Sequence, residues 1–375
     1  MREHQARIGA GNRLMSVPFR AGMAWSWRVH GPALGVHVKQ TYRATVLAAR
    51  PRGIPVPSDF AVVERPLVLP GPGQVLIQNL FVSLDAGFRH WMDEGSSDHI
   101  LPEMPIGEPV MGLTLGRVVA SQHPGFADGD LLMARLAWEE YSLTDATDFF
   151  VKVPDEYDCP LSYHLGILGD TGMSAYFGMT DIARPEVGET VLVSAAGGAV
   201  GSIAGQVAKI YGARTVGIVS GAAKCRQIIE QFGYDAAIDR TGDVPQQLAA
   251  TCPDGVNVYF DNVSGPLLEQ VLNNIAVGAR VVLCGAVATY SASTPLPGPS
   301  NLFNLVTNQA SMEGFMTHLQ HDRYPEARTQ LLAWAAEGRL RNAEYLMEGI
   351  ENAGLAFCHL FEGRNLGKTI VRLAE

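Results

Sequence analysis

An apolar strand that runs into a glycine-rich turn and then a helix is the tightest constraint on how this chain can fold. Thr190-Val-Leu-Val-Ser194 is apolar and β-branched, as a strand covered on both faces requires. Ala195-Ala-Gly-Gly-Ala-Val-Gly201 follows, and Val200–Tyr211 then repeats its apolar residues at helical spacing. The turn reads as G-x-G-x-x-G with Ala196 in the first slot, so Ala196, Gly197, Gly198, Ala199, Val200 and Gly201 become candidate phosphate-binding residues. Gly198 would let the backbone approach a pyrophosphate, and Gly201 would let the helix pack tightly on the strand. The helix start would offer free N–H groups and partial positive charge to the anion. Gly and Ala clusters also build plain tight turns; the position between strand and helix favours the phosphate cradle.

The rhythm around this turn predicts a complete doubly wound α/β domain. Strands are expected at Thr190–Ser194, Arg214–Ser220, Ala236–Asp239, Val256–Asp261, Arg280–Leu283 and Met312–Phe315. Helices are expected between them at Val200–Tyr211, Ala222–Phe232, Val244–Thr251 and Pro266–Ile275. Such strand–helix alternation is the signature of a Rossmann domain. Residues 42–165 instead show short β-branched runs (Gln74–Val82, Gly116–Ser121) broken by Pro, Gly and Asp turns, which suggests a small barrel. After Tyr324–Gly338, read as a helix, the tail returns to strand, helix and strand at Glu344–Glu351, Ala353–Phe361 and Lys368–Arg372. The expected organisation is therefore an α/β protein with the nucleotide domain (166–320) inserted in a β-rich domain made of 42–165 and 321–375.

The strand after the glycine turn discriminates between nicotinamide cofactors. An NAD site places an acid there for the ribose 2′-hydroxyl. Thr215-Val-Gly-Ile-Val-Ser-Gly221 ends without one, and Lys224 and Arg226 follow. A 2′-phosphate would be drawn to such cations, so NADPH is expected, unless the two merely decorate the first turn of a helix.

Composition narrows the partners. The formal charge of −10 argues against nucleic acid or an anionic membrane, and no apolar run is long enough to span a bilayer. Five Cys (159, 225, 252, 284, 358) lack a C-x-x-C pair, which predicts free thiols in a reducing, cytoplasmic setting. His318 and His321 have no third metal ligand nearby and read as surface residues. Residues 1–41 carry six Arg or Lys and one acid, Glu3. A disordered extension or an upstream start, with Met15 or Met23 as later starts, is the expectation there; a transit peptide is the alternative.

Several motifs in order resemble one family. Val193-Ser-Ala-Ala-Gly-Gly-Ala-Val-Gly-Ser202, Tyr259-Phe-Asp-Asn-Val-Ser-Gly265, Cys284-Gly-Ala286 with Tyr290, Met312-Glu-Gly-Phe315 and Phe361-Glu-Gly-Arg-Asn-Leu-Gly-Lys368 resemble the zinc-free medium-chain dehydrogenase/reductases. The nearest branch is that of the prostaglandin reductases and 2-alkenal reductases, from about Tyr42 to the C-terminus. The resemblance implies a GroES-like catalytic barrel around a Rossmann domain, NADPH as cofactor, a small α,β-unsaturated carbonyl as substrate, and a homodimer. It implies that Lys224 holds the 2′-phosphate and that Asn262, Cys284, Gly285, Ala286, Phe315 and Asn365 lie along the cofactor. It gives Tyr290 contact with substrate or nicotinamide ribose.

Two segments depart from the family pattern. Ser-Leu-Asp-Pro-Tyr-Met-Arg is here Ser83-Leu-Asp-Ala-Gly-Phe-Arg89, so Gly87 replaces an aromatic. Met-Pro-Gly is here Asp170-Thr-Gly172. Both fall where substrate shape is expected to be read. Zinc-dependent relatives hold their metal with Cys and with His in a Gly-His-Glu segment; here the segment is Pro105-Ile-Gly-Glu-Pro109 and no Cys precedes Cys159, so no metal site is expected. The expected chemistry is metal-independent reduction of a conjugated C=C bond, with Tyr290 donating a hydrogen bond to the developing enolate oxygen. A packing role is the plainer reading of that Tyr. The rival functions are a zinc-free quinone reductase of the same fold and a non-catalytic NADPH-binding sensor.

Overall fold

Two large β-sheets and a two-stranded one, Thr41–Leu47 with Phe60–Pro66, carry the architecture, and the computed structural model describes residues 40–154, 159–292, 294 and 296–374. The leader expectation lies outside them except at its end, where Thr41 already opens the first strand. The first part holds β1 (Thr41–Leu47), β2 (Phe60–Pro66), β3 (Val75–Ser83), β4 (Met111–Ser121), β5 (Leu131–Ala137), β6 (Tyr141–Thr144) and β7 (Phe150–Lys152). Then come α1 (Asp170–Phe177), β8 (Thr190–Ser194), α2 (Ala199–Ile210), β9 (Arg214–Val219), α3 (Ala222–Phe232), β10 (Ala236–Asp239) and α4 (Val244–Thr251). Next are β11 (Val256–Asp261), α5 (Gly265–Leu272), β12 (Ile275–Leu283), α6 (Val287–Tyr290), α7 (Phe303–Thr307) and β13 (Ser311–Gly314). The chain closes with α8 (Tyr324–Ala336), β14 (Glu344–Glu348), α9 (Ala353–Glu362) and β15 (Lys368–Arg372).

The six-stranded sheet has the order β10-β9-β8-β11-β12-β13, all parallel. Strand order reverses between β8 and β11, and ligands of doubly wound sheets bind at the carboxyl ends of strands at that point. The second sheet runs β14-β15-β3-β4-β5-β7, with β6 on β3. Its C-terminal strand β15 pairs antiparallel with β3, so the tail completes a sheet begun before the nucleotide-binding segment. This is the inserted arrangement the rhythm predicts.

One core lies under one face of the parallel sheet, where Phe177, Ile203, Phe260 and Trp334 pack together. Leu192, Ile238, Leu248 and Leu268 fill the opposite face. A third core, around Leu47, Val82, Trp138 and Phe357, seats α9. Helix α8, which the sequence reading groups with the C-terminal part of the barrel, packs on α1 and joins the first core instead. A further difference falls at Ile275: the expected helix stops at Leu272, and β12 starts five residues before Arg280. Val256 pairs with Ile275 before a register shift resets the ladder, so the extra strand length is tertiary pairing.

Candidate functional site

The glycine turn leaves β8 through Ala195 at φ 49° and closes with the Gly198 N–H donating to the Ala195 carbonyl at 2.8 Å. Ala196 is fully buried. A Cβ on Gly201 would stand 2.3 Å from the Ala195 oxygen and 2.8 Å from Ala196 Cα, so only Gly lets α2 sit this close to the strand. Helix α2 begins at Ala199 with Gly198 as its cap and no side chain capping it. Its first-turn amides, from Ala199, Val200 and Gly201, have no partner inside the helix and suit an anion. A segment from the other sheet closes over the turn: the Gly367 N–H donates to the Gly197 carbonyl at 2.8 Å, and Gly367 bridges Gly198.

At the outer end, Lys224 is half-buried in the first turn of α3 and donates to the carbonyls of Gly363 (3.0 Å) and Asn365 (2.6 Å). Burial, with the Arg240 charge nearby, brings its ammonium down to about 8. Arg240 donates to the Ser220 hydroxyl, which follows β9. Lys224, Arg240 and Ser220 thus form a cationic, hydroxyl-lined corner of the kind that holds a 2′-phosphate. The sequence reading missed Arg240 and Ser220. The strand pairing brings them together: Asp239 sits opposite Val219, which places the next residues side by side. Arg226, two residues past Lys224 in the first turns of α3, is exposed.

At the inner end, Asn262 follows β11 and is tied back to β8, its amide nitrogen donating to the Ser194 carbonyl at 2.8 Å and its backbone N–H to the Ser194 hydroxyl at 2.8 Å. Asp261 fixes that bend: one carboxylate oxygen accepts from Ser194 and Tyr259 hydroxyls and from the Val263 and Ser264 amides. Cys284 and Gly285 donate their backbone N–H groups to the Asp261 carbonyl, which brings Cys284, Gly285 and Ala286 beside Asn262. Burial, then the charges of Asp170 and Asp261, pushes the Cys284 thiol up to about 12, so it is no nucleophile. The Tyr290 hydroxyl accepts the Ala286 N–H at 3.0 Å, and burial raises its pKa. Its own O–H stays protonated and is left to donate elsewhere. Asn365 is buried, its side chain donating to the Gly367 carbonyl at 3.0 Å. Phe315 follows β13, and its ring tip lies by Gly178 with Phe260, against the first core.

The two sheets meet across this inner end. Lys368, just past Gly367, is buried and paired with Asp85, which opens the helical turn Ala86–Met92. That turn packs against α6, the helix that carries Tyr290. Among the described residues no three His, Cys, Asp or Glu side chains come together as a metal site, and no helix is long and apolar enough to cross a membrane.

Comparison with known proteins shows the family. A family model described as "N-terminal domain of oxidoreductase" matches residues 43–152, and one described as "Zinc-binding dehydrogenase" matches 199–334. The chain is 37% identical to the NADPH-dependent curcumin reductase of Escherichia coli, covering 90% of this chain and 98% of that protein. It is 36% identical to the NADP(+)-dependent 2-alkenal reductase of Nicotiana tabacum, over 86% of this chain and 95% of the relative. The crystal structure of CurA in complex with NADPH from Vibrio vulnificus superposes with a TM-score of 0.82 at 34% identity, covering 89% of this chain and 99% of the other.

Proposed function

The chain belongs to the zinc-free medium-chain dehydrogenase/reductases, in the branch of the prostaglandin and 2-alkenal reductases, and from that premise we propose that it reduces the C=C bond of α,β-unsaturated aldehydes or ketones without a metal. It is an NADPH-dependent oxidoreductase of that family. The glycine turn and α2 would hold the pyrophosphate, and Lys224, Arg240 and Ser220 the 2′-phosphate. When bound, NADPH supplies a hydride to the substrate β-carbon. Asn262 and Cys284–Ala286 would border the nicotinamide end, with Asn365 behind it.

The observation that carries the reading is the Tyr290 hydroxyl. It is oriented by a backbone donor, so its proton points away from Ala286 and can meet the oxygen on which negative charge grows. A donor fixed before reaction needs no reorganisation as the charge appears. Gly87, where a Cβ would meet nothing within 4 Å, lies in the turn that packs on α6, and we assign the open space there to the substrate. A homodimer is part of the same proposal.

An NADPH-oxidation screen of enals, enones and quinones, with product analysis, tests this function. A saturated aldehyde or ketone as product is the expected result. Turnover of quinones alone would replace the reading with a quinone reductase, and NADPH binding without any turnover would replace it with a sensor.

A further inference from the structure

Arg89 carries a guanidinium that the reading above leaves unused, in the Ala86–Met92 turn and with only 2% of its side chain exposed. Its fork reaches across to residues 51–53, ahead of β2. Nε and one terminal nitrogen donate to the Gly53 carbonyl at 3.2 and 3.1 Å, and the same nitrogen donates to the Pro51 carbonyl at 3.0 Å. The other terminal nitrogen pairs with Asp93 at 2.8 Å, just past the turn. Arg50 ties the two pieces in the return direction, donating to the Met92 carbonyl at 2.8 Å. Segment and turn are thus stitched together from both sides.

Both stitched pieces reach α6. The turn packs against it, and a Cβ built on Gly53 would lie 3.8 Å from the carbonyl oxygen of Ser291, the residue after Tyr290. Helix α6 has four residues, too few to hold a position by its own hydrogen bonds. Its start is anchored to the end of β11, where the Val287 and Ala288 N–H groups donate to the Asn262 and Val263 carbonyls at 3.2 and 3.0 Å. Its other end meets the segment that Arg89 holds.

We propose that Arg89 is a positioning residue for the reduction: it locks residues 51–53 and the Ala86–Met92 turn into one wall that holds α6, and so keeps the Tyr290 hydroxyl on the Ala286 N–H. This role rests on the C=C reduction proposed above, in which Tyr290 donates to the enolate oxygen. Arg89 itself touches neither substrate nor cofactor in it. A donor misplaced by about 1 Å can lose up to about 100-fold in rate. Because Arg89 works through Tyr290, its loss cannot exceed the loss of that hydroxyl. Lys is no substitute, since one ammonium cannot span two carbonyls and a carboxylate as a planar fork does.

The test uses the full chain, NADPH and a small enone. In Arg89→Lys and Arg89→Met, kcat should fall about tenfold, while the enone KM and NADPH titration by fluorescence stay unchanged. Arg89→Lys keeps a cation opposite Asp93 and carries the test if Arg89→Met does not fold. A double-mutant cycle separates positioning from general damage: in a Tyr290→Phe background, either Arg89 variant should turn over as Tyr290→Phe alone does. Hydrogen exchange of the protein by itself needs no turnover. The Ala286 amide should lose protection in both variants, while the amides of β11 keep theirs. Wild-type kcat, additive losses in the cycle, or exchange at Ala286 that is unchanged or rises equally in β11 overturns the role of Arg89 and leaves the reductase reading standing. If the unmodified protein reduces no enone, the reductase reading falls, and the Ala286 exchange decides whether Arg89 holds α6.

Discussion

The Tyr290 hydroxyl has two separable duties, accepting from Ala286 and donating to substrate, and Tyr290→Phe removes both. The first costs about 1 kcal/mol of local order if the amide goes unpartnered. The second is felt only in the transition state, so kcat should fall about 10- to 100-fold while NADPH affinity barely moves. Steady-state kinetics on a small enone checks this, and an unchanged kcat would take Tyr290 out of the mechanism. Lys224 makes a pH-dependent prediction. Its pKa of about 8 means the free protein carries a neutral amine above that pH, so NADPH binding there must take up a proton. NADPH affinity should be flat from neutrality to about 8 and then weaken by up to roughly tenfold per pH unit. NADH, lacking the 2′-phosphate, should respond less. Lys224→Ala should cost about 10- to 100-fold for NADPH. Because the same ammonium ties down Gly363 and Asn365, some loss for NADH is expected too, which the sequence alone did not suggest.

Elements with one buried strand or one apolar stripe were legible, and those buried on all sides or shorter than a turn were not. β8, β10, β11, α3 and α4 lie where periodicity places them, because each pairs a clear pattern with a Gly, Asp or Pro stop. Helix α1 gave no signal: Thr171, Gly172, Met173, Ala175, Tyr176 and Phe177 are all buried, so it has no polar face to mark a period. That is why Asp170 entered the reading as a substituted motif and not as the head of a helix. The glycine turn makes a prediction at this scale. Gly201→Ala pushes a methyl into backbone that cannot yield, so α2 must move off β8. A loss of about 1–3 kcal/mol in stability is expected, with NADPH binding lost by calorimetry. Retained binding with normal affinity would show that the turn is not the phosphate cradle.

Across the whole molecule, the contact between the sheets is narrow and chemically specific. Gly367 on Gly197, Lys224 on Gly363 and Asn365, and Lys368 on Asp85 join segments far apart in the chain. Lys368→Met strips the partner from a pair whose cation is buried, and chemical denaturation should show a loss near the low end of about 3–5 kcal/mol, since Asp85 keeps some exposure. An unchanged midpoint would mean the sheets are held by apolar packing alone. The sequence by itself determined the inserted doubly wound architecture, the glycine turn and the preference for NADPH. Those rest on local periodicity and on a motif whose chemistry lies within a dozen residues. Only the tertiary structure decided that Arg240 and Ser220 stand by Lys224, and that the C-terminal segment closes over the glycine turn. Those pairings join residues brought together by sheet order and by the return of the C-terminal strand, and both depend on contacts that no local pattern encodes.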